Sequence, residues 1–243
     1  MRVLVISDIH ANDTALQAVL QDAGAVDETW CLGDLVGYGP DPNQVIGRLR
    51  GLRKLRCIAG NHDAAILRRM ELEAFNGDAR ISLNWTETVL TAENVSFMRT
   101  LVPMLELNGS VTLAHGSPRD PTWEYILNTL AARLNFAHFE TPFCFVGHTH
   151  IQGVFELDDL RDVVSAVPNR VGEAVTLTRR AILNPGSVGQ PRDRDPRAAY
   201  AIFDTQRSTW EARRKEYDIA SVQERIRAAG LPPRHALRLA EGW

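Results

Sequence analysis

The sequence has few cysteines and no apolar run long enough to cross a membrane. Its three cysteines, Cys31, Cys57 and Cys144, each lie in a short apolar run and none forms a CxxC pair. We therefore expect buried free thiols rather than disulfides or a closed thiolate zinc site. The first apolar run reaches Asp8 too early for a signal peptide or a membrane span, so we expect a cytoplasmic protein.

An excess of positive charge is also absent. The formal net charge of -3 provides no basic field to hold a polyanion through counterion release. We therefore expect no stable nucleic-acid binding and no membrane association. A small phosphorylated or nucleotide substrate fits this charge, because a metal ion can supply positive charge locally. The oligomeric state stays open.

Short apolar runs predict β-strands along the chain. Seven of them are too short, and too rich in β-branched or aromatic residues, for helices: residues 3–6, 29–32, 55–59, 111–114, 143–146, 181–183 and 199–203. Because amphipathic helical segments separate several of these runs, the pattern predicts an α/β fold with strands buried on both faces. Alternation in residues 154–157 and 174–177 favours two antiparallel strands, which we expect to form a hairpin in a second sheet.

Helix signals lie between the predicted strands. Asn12 or Asp13 can cap a first helix that Gly24 can end in a left-handed conformation, and Pro42 can open a second helix. The length of 243 residues suits one domain over residues 1–243, without repeats or linkers. Within it, residues 62–105 are predicted as a mainly helical insertion and residues 218–243 as a helical tail.

Residues that can bind metals follow the predicted strands. The segments are Asp8-Ile9-His10, Gly33-Asp34, Gly60-Asn61-His62-Asp63, His115-Gly116, Gly147-His148-Thr149-His150 and, as a turn, Asn184-Pro185-Gly186-Ser187. Strand ends along one edge of an open α/β sheet converge on a crevice, so these groups can reach a common point. Residues two apart in an extended chain point to the same side, which lets Asp8 pair with His10 and His148 with His150.

The predicted ligand set contains two carboxylates, one amide oxygen and four imidazoles. Such donors suit borderline divalent ions, namely manganese, iron, zinc, cobalt or nickel. Seven ligands are too many for one open catalytic ion but suit two ions that share a bridging carboxylate. Two ions roughly 3.5–4 Å apart can clamp the attacking and leaving oxygens of an in-line displacement, a demand typical of phosphoryl chemistry.

These segments resemble the signature of the calcineurin-like metallophosphoesterase superfamily, D-x-H, G-D, G-N-H, H and G-H-x-H, which occurs in order over residues 3 to 204. The segments 7–12, 33–40 and 184–189 resemble its small bacterial and archaeal phosphodiesterase branch, often labelled diadenosine-tetraphosphatase-like. Gly37-Tyr38-Gly39 stands where protein phosphatases of the superfamily usually have Asp-Arg-Gly, which disfavours a phosphoprotein substrate. The resemblance implies two mixed β-sheets packed as a sandwich flanked by helices.

The resemblance also implies a role for each ligand. One metal would be held by Asp8, His10 and His150, the other by Asn61, His115 and His148, and Asp34 would bridge the two. His62 would protonate or position the leaving oxygen with Asp63 as its partner, and a water activated between the ions would be the nucleophile.

Further polar residues are candidates for substrate contact: Asn12, Asn184, Ser187, Arg192 and Arg194. The two arginines could grip a distal phosphate bidentately. However, Asp193 and Asp195 alternate with them, which favours a self-paired, solvated loop, and the turn at residues 184–187 could be structural only. We expect Tyr38 and Trp123 to pack, and His138 and His235 to be structural or exposed.

The expected function is metal-dependent hydrolysis of a phosphodiester, a phosphomonoester or a dinucleoside polyphosphate. The alternative from another class is a non-catalytic binding or scaffold protein that retains the fold. Such proteins tend to lose metal ligands or the catalytic histidine, whereas this sequence has all of them. A nuclease would be expected to have a basic groove, and the net charge argues against it.

Overall fold

Two six-stranded β-sheets form the centre of the computed structural model, which describes residues 1–243. In chain order the strands are β1 (Arg2–Ile6), β2 (Glu28–Cys31), β3 (Leu55–Cys57), β4 (Met104–Leu107), β5 (Val111–Ala114), β6 (Phe143–Phe145), β7 (Gln152–Asp158), β8 (Val163–Ala166), β9 (Ala174–Thr176), β10 (Arg180–Pro185), β11 (Ala198–Asp204) and β12 (Thr209–Lys215). The helices are α1 (Asp13–Ala23), α2 (Pro42–Arg50), α3 (Asn61–Ile66), α4 (Gly77–Val89), α5 (Ala92–Arg99), α6 (Thr129–Asn135), α7 (Ile219–Ala228) and α8 (Pro233–Glu241).

Each sheet combines parallel and antiparallel strands. The order in the first sheet is β3-β2-β1-β11-β12-β9, and in the second it is β4-β5-β6-β10-β7-β8. Strands β1, β2 and β3 run parallel to one another, as do β5, β6 and β10. The carboxyl ends of parallel strands share one edge of a sheet, so each sheet presents three consecutive turns at one edge.

The core lies on both faces of the first sheet. Successive residues of a strand point to opposite faces, so in β1 Val3 and Val5 pack towards the second sheet while Leu4 and Ile6 pack against α1 and α2. Between the sheets, the rings of Trp30 and Phe145 meet edge to face at 5.3 Å. Burial on both faces explains why β1 is an uninterrupted apolar run. The predicted sandwich of two mixed sheets flanked by helices is confirmed.

All seven predicted strands are present, but the predicted hairpin is wrong. Residues 154–157 lie in β7 and residues 174–176 form β9, yet β7 pairs with β8 and β10 in the second sheet while β9 pairs with β12 in the first. The cause is the intervening strand β8, which is closer to β7 along the chain and takes the hairpin position. The sequence pattern missed β8 because it is an exposed edge strand, and β12 because its arginines conceal the alternate burial of Trp210 and Ala212.

The helix signals correspond to observed helix ends. Asn12 caps α1 by accepting a hydrogen bond from the backbone amide of Ala15, and Gly24 follows the helix with φ of 63°. Pro42 begins α2. Residues 62–105 contain most of α3, all of α4 and α5, and the start of β4, while the tail contains α7 and α8. None of the eight helices combines the length and apolarity needed to span a bilayer.

Candidate metal centre

The seven predicted ligands lie in the turns after the parallel strands. Asp8 and His10 follow β1, Asp34 follows β2, Asn61 begins α3 after β3, His115 follows β5, and His148 and His150 follow β6. None of the seven side chains belongs to a residue more than 3% exposed. The fold therefore buries polar groups from five turns of two sheets at one place.

Two groups of possible ligands meet at Asp34. One consists of Asp8, His10 and His150, and the other of Asp34, His115 and His148; within each group the ligand atoms lie within 4.8 Å of one another, and His10, Asp34 and His62 form a third such group between them. Asp34 Oδ2 is 3.5 Å from His10 Nε2 and 3.4 Å from His115 Nε2. This carboxylate oxygen thus lies between the two groups, which is the position that a bridging ligand requires.

Backbone carbonyls orient the imidazoles. The Nδ1 atom of His10 is 3.0 Å from the Val36 carbonyl oxygen, that of His115 is 2.8 Å from the Leu32 carbonyl, and that of His150 contacts the Gln190 carbonyl. A carbonyl only accepts, so each Nδ1 carries a proton, and Nε2 can bind a metal when the ring is neutral. His148 is reversed, because its Nε2 contacts the Trp123 carbonyl at 3.0 Å and Nδ1 is then the free nitrogen.

The buried acceptors at this centre fit a cation. His10 Nε2 and His150 Nε2 lie 3.1 Å apart, although both are unprotonated when Nδ1 donates and the rings are neutral. Asp8 Oδ1 lies 3.2 Å from His150 Nε2 and is buried without a hydrogen-bond partner. Facing lone pairs and an unpaired buried carboxylate oxygen are unfavourable unless a positive charge joins them. The donor set of oxygen and imidazole nitrogen therefore suits a divalent metal ion.

The titratable groups of the centre have pKa values that differ widely from one another. Burial lowers the pKa of His62 to about 4, and burial together with the nearby charge of Asp34 raises the pKa of Asp63 to about 7. Burial opposes charge on His115 as well, but the attraction and hydrogen bond of Asp34 outweigh it and raise that pKa to about 10. For Asp34 itself burial is outweighed by neighbouring histidines, so its pKa lies well below the usual value.

The backbone of the ligands is strained. Positive φ angles, rare for residues other than glycine, occur at five ligands: Asp8 (51°), His10 (47°), Asp34 (53°), His148 (63°) and His150 (61°). Hydrogen bonds between turns hold this conformation, including Asp8 N to the Gly33 carbonyl and His10 N to the Asp34 carbonyl. Strain of this kind costs about 1–3 kcal/mol per residue and is typical of functional sites.

Two glycines let the turns approach closely. A Cβ atom on Gly60 would lie 2.1 Å from Asp34 Oδ1, and one on Gly147 would lie 2.0 Å from Ser7 Oγ. Real Cβ atoms do not approach that closely, so a side chain at either position would separate the ligand-bearing turns.

The two predicted catalytic residues, His62 and Asp63, have different surroundings. His62 lies beside Asp34, to whose Oδ1 its backbone N–H donates at 2.9 Å, and its ring contacts His10 and Tyr38. Asp63 makes no hydrogen bond to the His62 imidazole. Its carboxylate accepts from the backbone N–H groups of Leu35 and Gly60, so it joins the turn that carries Asp34 to the start of α3. Asp63 is therefore a positioning residue rather than the expected partner of His62.

A cavity of about 260 Å³ opens beside these ligands. It is lined by Asp34, Tyr38, Asn61, His62, Ala74, Phe75, Asn76, Trp123, Tyr125, His148, His150 and Arg192. Tyr125 stacks on His148 with ring centroids 4.0 Å apart. Arg192 is the only arginine or lysine among the lining residues, so of the predicted substrate contacts it is the one that reaches the cavity. Tyr38 and Trp123 pack as expected, but both also form part of the wall.

The other four predicted substrate contacts do not line this cavity. Asn12 caps α1 and donates to the Gly189 carbonyl, Asn184 donates to the Gly147 carbonyl at 2.7 Å, and Ser187 donates to the Asp8 carbonyl at 2.7 Å. These side chains hold the ligand-bearing turns together. Arg194 is exposed, and its backbone N–H donates to the Gly242 carbonyl.

Sequence reasoning missed several residues of the site. Tyr125, Phe75 and Asn76 line the cavity although they lie outside every motif. The carbonyls of Leu32, Val36 and Gln190 orient histidines, but a backbone carbonyl has no residue-type signal. An aromatic cluster after His115, containing Trp123 and Tyr125, was the available clue, and only the fold brings it to the centre.

Comparisons with known proteins agree with this geometry. A family model described as a calcineurin-like phosphoesterase superfamily domain matches residues 1–208. The solved structure of a metallophosphoesterase from Sphaerobacter thermophilus is similar to this chain, with a TM-score of 0.91 and 46% identity, covering 100% of this chain and 99% of that one.

Two curated proteins differ in how much of the chain they match. An uncharacterized protein of Methanocaldococcus jannaschii is 35% identical over 237 residues, which is 95% of this chain and 93% of that protein. A symmetrical bis(5'-nucleosyl)-tetraphosphatase of Erwinia tasmaniensis is 37% identical over 71 residues, which is 28% of this chain and 26% of that protein. The family match covers most of the sequence and both ligand groups, and the chain therefore belongs to the calcineurin-like phosphoesterase superfamily.

Proposed function

We propose that this chain hydrolyses phosphate esters at a pair of divalent metal ions, with phosphodiesters, phosphomonoesters and dinucleoside polyphosphates as candidate substrates. The observation that carries this proposal is the position of Asp34 Oδ2 between His10 Nε2 and His115 Nε2. Two bound ions of manganese, iron, zinc, cobalt or nickel would lower the pKa of a water and neutralise phosphate oxygens.

The seven predicted ligands would be shared between the two ions. Asp8, His10 and His150 would hold one ion, and Asn61, His115 and His148 the other, with Asp34 contacting both. Asn61 Oδ1 lies 3.0 Å from His115 Nε2, which supports placing both donors at one ion. The carbonyl contacts of Nδ1 keep the imidazoles oriented before any ligand arrives, so little reorganisation is needed.

His62 and Arg192 would act on the substrate. Both line the cavity, and His62 lies beside Asp34. From there the neutral imidazole can position the leaving oxygen by donating a hydrogen bond, while the guanidinium binds a phosphate oxygen. The aromatic walls formed by Phe75, Trp123 and Tyr125 suit the organic part of an ester. A cavity of about 260 Å³ can bury a phosphate and a small group, which favours substrates that extend out of its mouth.

The test uses the full chain with p-nitrophenyl phosphate, bis-p-nitrophenyl phosphate and a dinucleoside tetraphosphate. We expect turnover that a chelator abolishes and Mn²⁺ restores. Asp34→Asn should reduce kcat at least about 100-fold, because it weakens both ion sites. Asp159→Asn, an exposed carboxylate outside the site, is the matched control.

A non-catalytic binding protein is the alternative, and the same assay separates it from an enzyme. Metal binding without turnover of any of the three substrates would favour the scaffold. The presence of all seven predicted metal ligands and of His62 supports catalytic activity. The similarity over 71 residues to a symmetrical bis(5'-nucleosyl)-tetraphosphatase is the reason that the assay includes a dinucleoside tetraphosphate.

A further inference from the structure

Three arginines without a carboxylate partner gather near the mouth of the metal cavity. Arg192 lines the cavity, and Arg234 and Arg238 lie on α8. By contrast, Arg197 forms an ion pair with Asp195, and Arg214 forms one with Asp193. The side chain of Arg192 makes one hydrogen bond, a 3.3 Å contact with Gln190. These three side chains, the arginine cluster, are therefore available to an anion.

The packing of α8 brings this cluster to the cavity. The Arg192 guanidinium carbon is 5.9 Å from the centre of the Tyr38 ring, and the His235 ring of α8 lies 4.9 Å from the same ring. His235 Nε2 also contacts the Asp78 carbonyl at 3.2 Å, which fixes α8 against the first turn of α4. Asn76, which caps α4, lines the cavity, so α8 borders the same opening.

One aromatic side chain supports two members of the cluster. The guanidinium carbons of Arg234 and Arg238 lie 5.1 and 5.2 Å from the Trp243 ring centre, within cation–π range. A shared ring keeps two positive groups near each other without neutralising them. The available charge is therefore concentrated at one side of the opening.

The cluster carries uncompensated positive charge. Burial, and then repulsion from Arg192 and Arg234, lowers the pKa of Arg238. The Nε atoms of Arg192 and Arg238 are buried without a hydrogen-bond partner. Neither Asp78 nor Glu241 forms an ion pair with Arg238, and the Glu241 carboxylate accepts a hydrogen bond from the Trp243 indole. Buried unpaired donors and mutual repulsion are both relieved when an anion accepts from the guanidinium groups.

We propose that Arg192, Arg234 and Arg238 bind a second phosphate group of the substrate, beyond the phosphate that is hydrolysed. This inference rests on the proposed function for the first phosphate, which the metal centre would bind. The family model ends at residue 208, so Arg234 and Arg238 belong to a segment outside that match. The preferred substrates are then esters that carry two or more phosphates, such as nucleoside di- and polyphosphates or dinucleoside polyphosphates.

The kinetic test compares one-phosphate and multi-phosphate esters on the same enzyme. For the metal-loaded full chain we expect Arg234→Gln and Arg238→Gln each to lower kcat/KM for a dinucleoside tetraphosphate about tenfold more than for p-nitrophenyl phosphate. The loss should lie mainly in KM. Arg227→Gln on α7 removes the same charge from an exposed position outside the cluster and should leave the ratio unchanged. Equal losses for both substrates, or none, would overturn the proposal.

A binding test separates this proposal from failure of the proposed function. Titration calorimetry of α,β-methylene adenosine diphosphate and adenosine monophosphate into metal-loaded protein requires no turnover. We expect the two-phosphate ligand to bind about tenfold more tightly, and Arg238→Gln to remove most of that preference. If the preference exists without turnover of any ester, the second-phosphate site stands and the hydrolase proposal fails. If wild type and Arg238→Gln bind both ligands equally, the second-phosphate site is rejected.

Discussion

Single residues decide how closely the turns of the metal centre meet. The strained φ angles of the ligands and the carbonyl contacts of their imidazoles both depend on turns that are far apart in sequence. Each local conformation is therefore maintained by the neighbouring turn rather than by its own residues. Changes that separate two turns should affect metal binding before they affect the rest of the fold.

Gly60→Ala tests this dependence. The new Cβ would lie 2.1 Å from Asp34 Oδ1 and 2.5 Å from the Asp34 backbone nitrogen. We expect a loss of about 1–3 kcal/mol in unfolding free energy and a clear drop in metal content after dialysis. Chemical denaturation and elemental analysis measure the two effects. Gly47→Ala in α2 is the matched control, because no atom lies within 4 Å of its Cβ position; it should stabilise the helix by up to about 1 kcal/mol.

Asn184→Ala distinguishes a positioning role from substrate contact. The Asn184 amide donates to the Gly147 carbonyl and to Thr149 Oγ1, and its oxygen accepts from Gly186 N. Removing it leaves buried groups unpaired, so we expect unfolding free energy to fall by about 1–3 kcal/mol and kcat to fall with it. KM should change little. A rise in KM at unchanged stability would instead support the original expectation that Asn184 contacts substrate.

At the scale of an element, the loop between β5 and α6 forms one wall of the cavity. Glu124 organises this loop, because it accepts hydrogen bonds from Arg119, Ser117 and Asn135. The neighbouring residues Trp123 and Tyr125 face the cavity and His148. The shape of the cavity therefore depends on a carboxylate that does not line it.

The pH dependence of stability follows from this loop. The hydrogen bond from Arg119, aided by Ser117 and Asn135 and opposed by burial, lowers the pKa of Glu124 to about 2, below its ordinary value of 4.5. A carboxyl whose folded pKa is depressed stabilises the protein above its unfolded pKa and loses that contribution as pH falls towards the folded pKa. Glu124→Gln should thus be less stable than wild type at pH 6, and the gap should narrow between pH 4.5 and 2. Denaturant titrations across that range measure it; a constant gap would contradict the assignment.

At the scale of the whole molecule, the centre links the two sheets. Asp8 and Asp34 come from turns of the first sheet, whereas His115, His148 and His150 come from turns of the second. A metal ion that binds ligands from both sheets binds the folded chain only. The buried, facing nitrogens of His10 and His150 are then relieved in the same step.

Metal removal should therefore destabilise the protein as well as inactivate it. A ligand present at about 100 times its Kd stabilises the folded state by about 2.7 kcal/mol. We expect the Tm to fall on chelation and to rise again with added Mn²⁺ in a concentration-dependent way. Calorimetric unfolding scans measure this, and an Asp34→Asn variant should respond less. A Tm that is independent of metal would show that the two groups of ligands do not bind it in the folded chain.

Local sequence patterns were enough to predict the central strands, the metal ligands and the helix ends. The apolar runs that became β1, β5 and β11 are recognisable because burial on both faces demands continuous apolarity. The motifs after β1, β2, β5 and β6 contain all six residues of the two ligand groups. The helix caps at Asn12 and Pro42 are likewise local, since a cap acts on amides within one turn.

Tertiary structure alone decided the remaining features. Three of them depend on contacts between residues far apart in the chain: the pairing of β9 with β12 rather than β7, the hydrogen bonds from backbone N–H groups to the Asp63 carboxylate, and the gathering of Arg192 with Arg234 and Arg238. Motif spacing and periodicity report only on neighbours along the chain, because a strand partner or a hydrogen-bond acceptor is chosen by packing. The sequence therefore determined which groups could bind metal and phosphate, and the packing of two sheets and α8 determined where those groups meet.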